Sequence, residues 1–157
     1  IWHLEEPVTI QSTCMVIPVQ PAHSAFDLEV EFQLKDAASC GILLQNNRGE
    51  EYRIAFIAET HTLETDRRNT GRTGFHPGFG RIVRRSLNLD ASGNLRFRVL
   101  VDITTIEIFL QHGSKVISQL IFPEELLNTV TLFTDAGSIF IPEGTLWDLD
   151  FQEVSGI

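Results

Sequence analysis

From Phe26 to Leu34 the chain alternates without a break, apolar at even positions and polar at odd ones: Phe26-Asp27-Leu28-Glu29-Val30-Glu31-Phe32-Gln33-Leu34. Successive side chains of a strand point to opposite faces, so this pattern makes a strand with one buried face and one wet face. A helix, with its 3.6-residue period, would scatter the same residues around its circumference. Shorter segments of the same kind recur at 41–45, 52–58, 62–66, 95–102, 105–111, 115–122, 129–133 and 145–151. Turn formers separate them, among them Asn46-Asn47-Arg48-Gly49, Asn69-Thr70-Gly71, Ser92-Gly93-Asn94, Gln111-His112-Gly113 and Asp135-Ala136-Gly137. Strands that return every ten residues or so predict an all-β antiparallel sandwich of two sheets, jelly-roll or concanavalin-like.

Helical pattern is nearly absent. Pro123-Glu124-Glu125-Leu126-Leu127 predicts a single turn, with Pro first and acids at its start. Residues 67–85, rich in Gly, Arg and Phe, read as a long ordered loop. Residues 1–25 hold three prolines and little alternation, and read as a connector that leads from an upstream domain into a sandwich over 26–157.

The 157 residues suit one domain with one core. No apolar run reaches the roughly 18 residues of a membrane helix, and Ile1-Trp2-His3-Leu4-Glu5 has no signal-peptide character. Without an initiator Met the chain reads as a fragment or a processed product. Its net charge of −9 opposes nonspecific binding to nucleic acid. The charge is uneven. From Glu64 to Arg98, eight Arg stand against three acids, giving +5, and the remainder carries −14. Arg outnumbers Lys ten to two, and planar guanidinium forks suit fixed pairing within or between domains, with an anionic ligand as the alternative. Cys14 and Cys40 have no CxxC spacing and no nearby His, which argues against zinc. They read either as two buried thiols or as one disulfide. The five His are scattered, so neither metal nor cofactor is implied.

One segment is more specific. Val101-Asp102-Ile103-Thr104-Thr105-Ile106-Glu107-Ile108-Phe109 resembles the Val-Asp-Arg-Ser-Ser-Val-Glu-Val-Phe signature of glycoside hydrolase family 32, in the C-terminal sandwich of invertases, inulinases and levanases. Further pieces follow in the family's order. Ala55-Phe56 with residues 62–71 resembles its Leu-Phe-Val-Asp-Arg-Ser-x-Ser-Gly stretch, and Phe75-His76-Pro77-Gly78-Phe79 its Phe-x-x-x-Phe loop. Leu95-Arg96-Phe97-Arg98-Val99 and Ile121-Phe122-Pro123 match two more. Ile103 departs from the signature by replacing its Arg, and Gln111-His112-Gly113 replaces an Asn-Asp-Gly turn.

The resemblance implies a domain that accompanies a catalytic five-bladed propeller and lacks the active site. The family's Asn-Asp-Pro-Asn, Arg-Asp-Pro and Glu-Cys markers, which carry its nucleophile, transition-state stabiliser and acid/base, do not occur in this sequence. It also implies a secreted or vacuolar setting rather than a cytoplasmic one. The expected partner is the propeller of the same enzyme, through an Arg-rich interface; a homodimer contact is a further expectation. Relatives of the sandwich also bind fructan oligosaccharides with acids, an Arg and an aromatic platform. Asp66, Arg67, Phe75 and Phe79 form the candidate patch here, for carbohydrate or interface, with Asp102 and Glu107 from the signature. A third reading is a lectin-like jelly-roll glycanase using Asp27, Glu29 and Glu31, which share one strand face at i, i+2 and i+4. The plain alternative is the solvated face of an edge or near-edge strand.

Overall fold

The computed structural model describes residues 1–23 and 25–150. Its strands are β1 (Trp2–His3), β2 (Val8–Gln11), β3 (Cys14–Val16), β4 (Ala25–Leu34), β5 (Ser39–Gln45), β6 (Glu51–Ile57) and β7 (Thr62–Asp66). They continue with β8 (Ile82–Ser86), β9 (Asn94–Asp102), β10 (Thr105–Leu110), β11 (Lys115–Leu120), β12 (Thr129–Asp135), β13 (Ser138–Ile141) and β14 (Gly144–Leu149). Two antiparallel sheets result. One runs β1-β14-β4-β9-β10-β11, with β13 and β2 extending the β14 side; the other runs β3-β12-β5-β6-β7-β8. This is the sandwich that the alternation predicts, and no helix occurs among the described residues.

The core lies between the layers. From β4 it takes Phe26, Leu28, Val30 and Phe32, from β9 Leu95, Phe97, Val99 and Val101, and from the facing sheet Ile42, Leu44, Tyr52, Ile54 and Phe56. Phe32 meets Phe97 edge-on, ring centroids 5.5 Å apart, the arrangement that aromatic quadrupoles favour. Burying each such side chain stabilises the fold by about 1.5–3 kcal/mol. Tyr52 reaches across the sandwich, and its hydroxyl donates to the Gln119 side chain on β11. Burial pushes its pKa well above the ordinary phenol value.

The ten-residue β4 exceeds any one neighbour on its β14 side. Residues 25–30 pair with β14 and residues 33–34 with β13. The break between those two strands falls at Pro142, which has no N–H to donate to a ladder.

Several expectations need correction. Residues 1–25, read as a connector, carry three strands: β1 pairs with β14, β2 with β13 and β3 with β12. Each is four residues or shorter, too brief for alternation to register. Ser12, at a left-handed φ of 46°, turns the chain from one sheet to the other. The loop read over 67–85 ends early, because β8 pairs with β7 and Arg84 bonds Glu64 at 2.8 Å. Residues 123–127 form no helical turn. Glu50 Oε1 accepts the Glu124 N–H, and Arg48 bridges Glu124 and Glu125, so the acids serve the β5–β6 turn rather than a helix start. β13, four residues long, gives no alternation signal of its own. Phe151, assigned to the last strand, lies outside the described residues.

Candidate functional site

Two regions gather the chemistry. The first is the outer face of the eight-stranded sheet, where the odd-numbered acids of β4 stand beside β9. Glu29 lies opposite Arg98 and Glu31 opposite Arg96. Arg98 Nη2 reaches Asp27 at 2.8 Å and its Nε lies 3.6 Å from Glu29; Arg96 Nη1 reaches Glu143 at 3.1 Å and Glu31 at 3.5 Å. Asp27 is only 7% exposed, and its carboxylate holds the Arg98 pKa above the ordinary value. Beside this network a cleft of about 320 Å³ opens over Glu29, Arg96, Arg98, Phe109 and His112. β4 is an interior strand, flanked by β14 and β9, not an edge or near-edge one. Its acids share a face, as the spacing requires, and each has a guanidinium within salt-bridge distance.

The second region is one end of the sandwich, around the β7–β8 loop. Arg67, at the exit of β7, donates from Nε to the Phe79 carbonyl at 2.8 Å and from Nη1 to the Leu120 carbonyl at 2.9 Å. Its guanidinium carbon lies 3.7 Å from the centroid of Phe79, a cation–π contact. Burial draws its pKa below the ordinary value. Phe79 packs on Phe75 and Phe122 with centroids 4.6 and 5.6 Å apart, and Phe75 meets Phe122 edge-on at 5.6 Å. Gly71, at a φ of 96°, pairs with Phe122 through an isolated parallel bridge. A Cβ on Gly71 would run into the Phe122 carbonyl oxygen and the Glu50 carboxylate. Next to the rings a groove of about 660 Å³ lies between Gly71-Arg72, Ile103-Thr104 and Phe122-Pro123.

A family model described as glycosyl hydrolases family 32 C terminal matches residues 5–148. The chain belongs to this family. A levanase of Bacillus subtilis (strain 168) is 22% identical over 127 residues, covering 80% of this chain and 19% of its own length. An exo-inulinase from Aspergillus awamori superposes with a TM-score of 0.83 at 17% identity, over 96% of this chain and 29% of that one. Fructan 1-exohydrolase IIa from Cichorium intybus gives 0.68 at 16%, over 93% and 36%. The chain thus spans less than a fifth of that levanase and less than a third of that exo-inulinase.

Within this family 32 domain the residues singled out from sequence separate. Arg67, Phe75 and Phe79 come together at the ring cluster. Asp66 does not join them: on the outer face of the six-stranded sheet it takes a two-pronged contact from Arg68, which holds its pKa below the usual carboxylate value. Asp102 closes the β9–β10 turn by accepting the N–H groups of Thr104 and Thr105 at 2.7 Å each, as an Asx-type turn does. Glu107 sits mid-strand on β10, between Leu100 and Ser118. Ile103, where the family signature has Arg, is exposed at the groove. Sequence reasoning missed Phe122 and Arg72 as members of the ring-cluster end. The bridge from Gly71 to Phe122 joins segments some fifty residues apart, and no local pattern encodes it. Cys14 and Cys40 are both free, and Cys14 is exposed rather than buried; burial pushes the Cys40 thiol up to about 12. Among the described residues no three His, Cys, Asp or Glu side chains are grouped to hold a metal ion.

Proposed function

We propose that this domain is the non-catalytic β-sandwich module of a β-fructosidase-like glycoside hydrolase, packing against and stabilising a catalytic propeller that cleaves fructosides such as sucrose, inulin or levan. The observation that carries this reading is the state of the acids on β4. A retaining glycosidase needs one free carboxylate and one carboxylic acid about 5 Å apart, and Asp27, Glu29 and Glu31 are each engaged by Arg98 or Arg96. That arrangement suits a structural face better than the glycanase alternative. The family relatives named as levanase and exo-inulinase carry most of their length outside the matched region, which leaves room for chemistry elsewhere. The test has two arms. The chain by itself should release no fructose from sucrose, inulin or levan. The catalytic portion should unfold several degrees lower without residues 1–157, because a partner that binds only the folded state stabilises it; an unchanged melting temperature overturns the reading.

A second reading, binding of a fructan oligosaccharide, is favoured by the cleft over Phe109, which sets an aromatic ring beside Arg98, Glu29 and His112. Calorimetric titration with levan and inulin oligosaccharides tests it. Saturable heat that disappears in Phe109→Ala supports it, and no heat in the wild-type domain overturns it.

A further inference from the structure

Five large apolar residues lie around one end of the sandwich, and four of them are left in solvent: Phe75 is 57% exposed, Leu120 53%, Ile103 45% and Phe122 37%, with Phe79 half-buried. Phe75, Phe79 and Phe122 pack on one another, and Ile103 and Phe122 line the same groove. Arg67, stacked on Phe79, reaches the backbone carbonyl of the exposed Leu120. Single exposed apolar residues are ordinary, whereas a contiguous group rimmed by polar ones marks an interaction site.

The charges around it point the same way. Of the eight Arg between residues 64 and 98, Arg68, Arg84, Arg96 and Arg98 have carboxylate partners within the domain. Among the described residues Arg67, Arg72, Arg81 and Arg85 have none. Arg72 is exposed and lines the groove beside Phe122. The two acids there are already engaged: Arg48 holds Glu124, and Glu50 accepts from Asn46 and from the Glu124 amide. Aromatic residues and Arg are enriched at protein interfaces.

We propose that Phe75, Phe79, Leu120, Phe122 and Ile103, with Arg72 at their rim, are the surface on which the catalytic portion of the enzyme packs, and that the partner presents an apolar patch with a carboxylate opposite Arg72. The proposal rests on the accessory-domain reading and adds the location and chemistry of the contact. The occupant follows from length and charge. The relatives named above hold more than 60% of their chain outside it, and Arg72, exposed at the groove with no carboxylate partner among the described residues, suits an acidic group from another surface. Replacing the signature Arg by Ile103 makes this end more apolar than the family pattern.

Hydroxyl-radical footprinting of the enzyme that carries this domain tests the assignment, with Val16, 54% exposed on the β3 edge, as an internal reference. Phe75 and Phe122 should oxidise severalfold more slowly than their exposure calls for, while Val16 reacts in line with its exposure. Arg72→Glu in the same enzyme should weaken that protection and lower the melting temperature of the catalytic portion. Deleting residues 1–157 supplies the separate check. If deletion lowers that melting temperature while Phe75 and Phe122 oxidise freely, the domain is accessory but docks elsewhere, and this inference falls alone. Protection that requires added levan oligosaccharide, or that vanishes on dilution as for a second copy, also overturns it.

Discussion

The outer face of β4 and β9 and the ring-cluster end contain similar ingredients, arginines beside aromatic and apolar groups, yet they are finished differently. On the first, two Arg and four acids satisfy one another within the domain. On the second, Arg67 spends its hydrogen bonds on backbone carbonyls, Arg72 has no ion pair among the described residues, and Phe75, Phe79 and Phe122 pack together with Phe75 and Phe122 exposed. The first region is complete as an isolated object. The second leaves Phe75, Phe122 and Arg72 exposed, which is why the proposed contact is placed there.

The comparison can be pressed with substitutions in the domain, followed by chemical denaturation. Gly71→Ala should cost most, about 3 kcal/mol, since it adds a Cβ at a left-handed φ where the Phe122 carbonyl and the Glu50 carboxylate leave no space. A loss under about 1 kcal/mol would mean that the ring-cluster end is looser than described. Arg98→Ala follows at about 2 kcal/mol, because it leaves the nearly buried Asp27 without its cation. A neutral result would show that this face is not closed by ion pairing. Arg67→Lys should cost about 1 kcal/mol, as an ammonium cannot reach two carbonyls and lie flat on Phe79 at once; equal stability would reduce Arg67 to a charge.

The smallest effect lies away from both regions and calibrates them. The Asp148 hydrogen bond and charge hold the His23 pKa above 6.5, helped by Asp150. A raised folded-state pKa stabilises below the unfolded value and loses that contribution as pH rises through the folded one. An NMR titration of His23 should therefore have its midpoint above 6.5, and Asp148→Asn should lower it. A midpoint that ignores Asp148→Asn would break the assignment.

Legibility in the sequence followed the range of the interactions. The alternation at Phe26–Leu34 is a local signal, and β4 follows it at Phe26, Leu28, Val30 and Phe32, which are buried, and at Glu29, Glu31 and Gln33, which are not; Asp27, buried beside Arg98, and Leu34, half-buried at the strand end, depart from it. Of the strands that escaped notice, β1, β2, β3 and β13 are four residues or fewer, and β8, with five, lay in the segment read as a loop; β1, β3 and β13 pair with the longer β14, β12 and β4. Pro123 with two acids mimics a helix start, but the partner of those acids is Arg48, far away in sequence. At the ring-cluster end Arg67, Phe75 and Phe79 were visible as a run of arginine and phenylalanine, whereas Phe122 arrives from another hairpin. Adjacency in sequence groups Asp66 with Arg67, but successive residues leaving a strand point to opposite faces, and Asp66 pairs with Arg68 instead.

The short strands before residue 17 have a mechanical meaning. β1 and β2 grip one sheet, and after the bend at Ser12 β3 grips the other. The opening segment therefore works as a clasp across the two layers. A fluctuation that slides one layer past the other must strip backbone bonds from both sides of the clasp together, which ties their melting into one event.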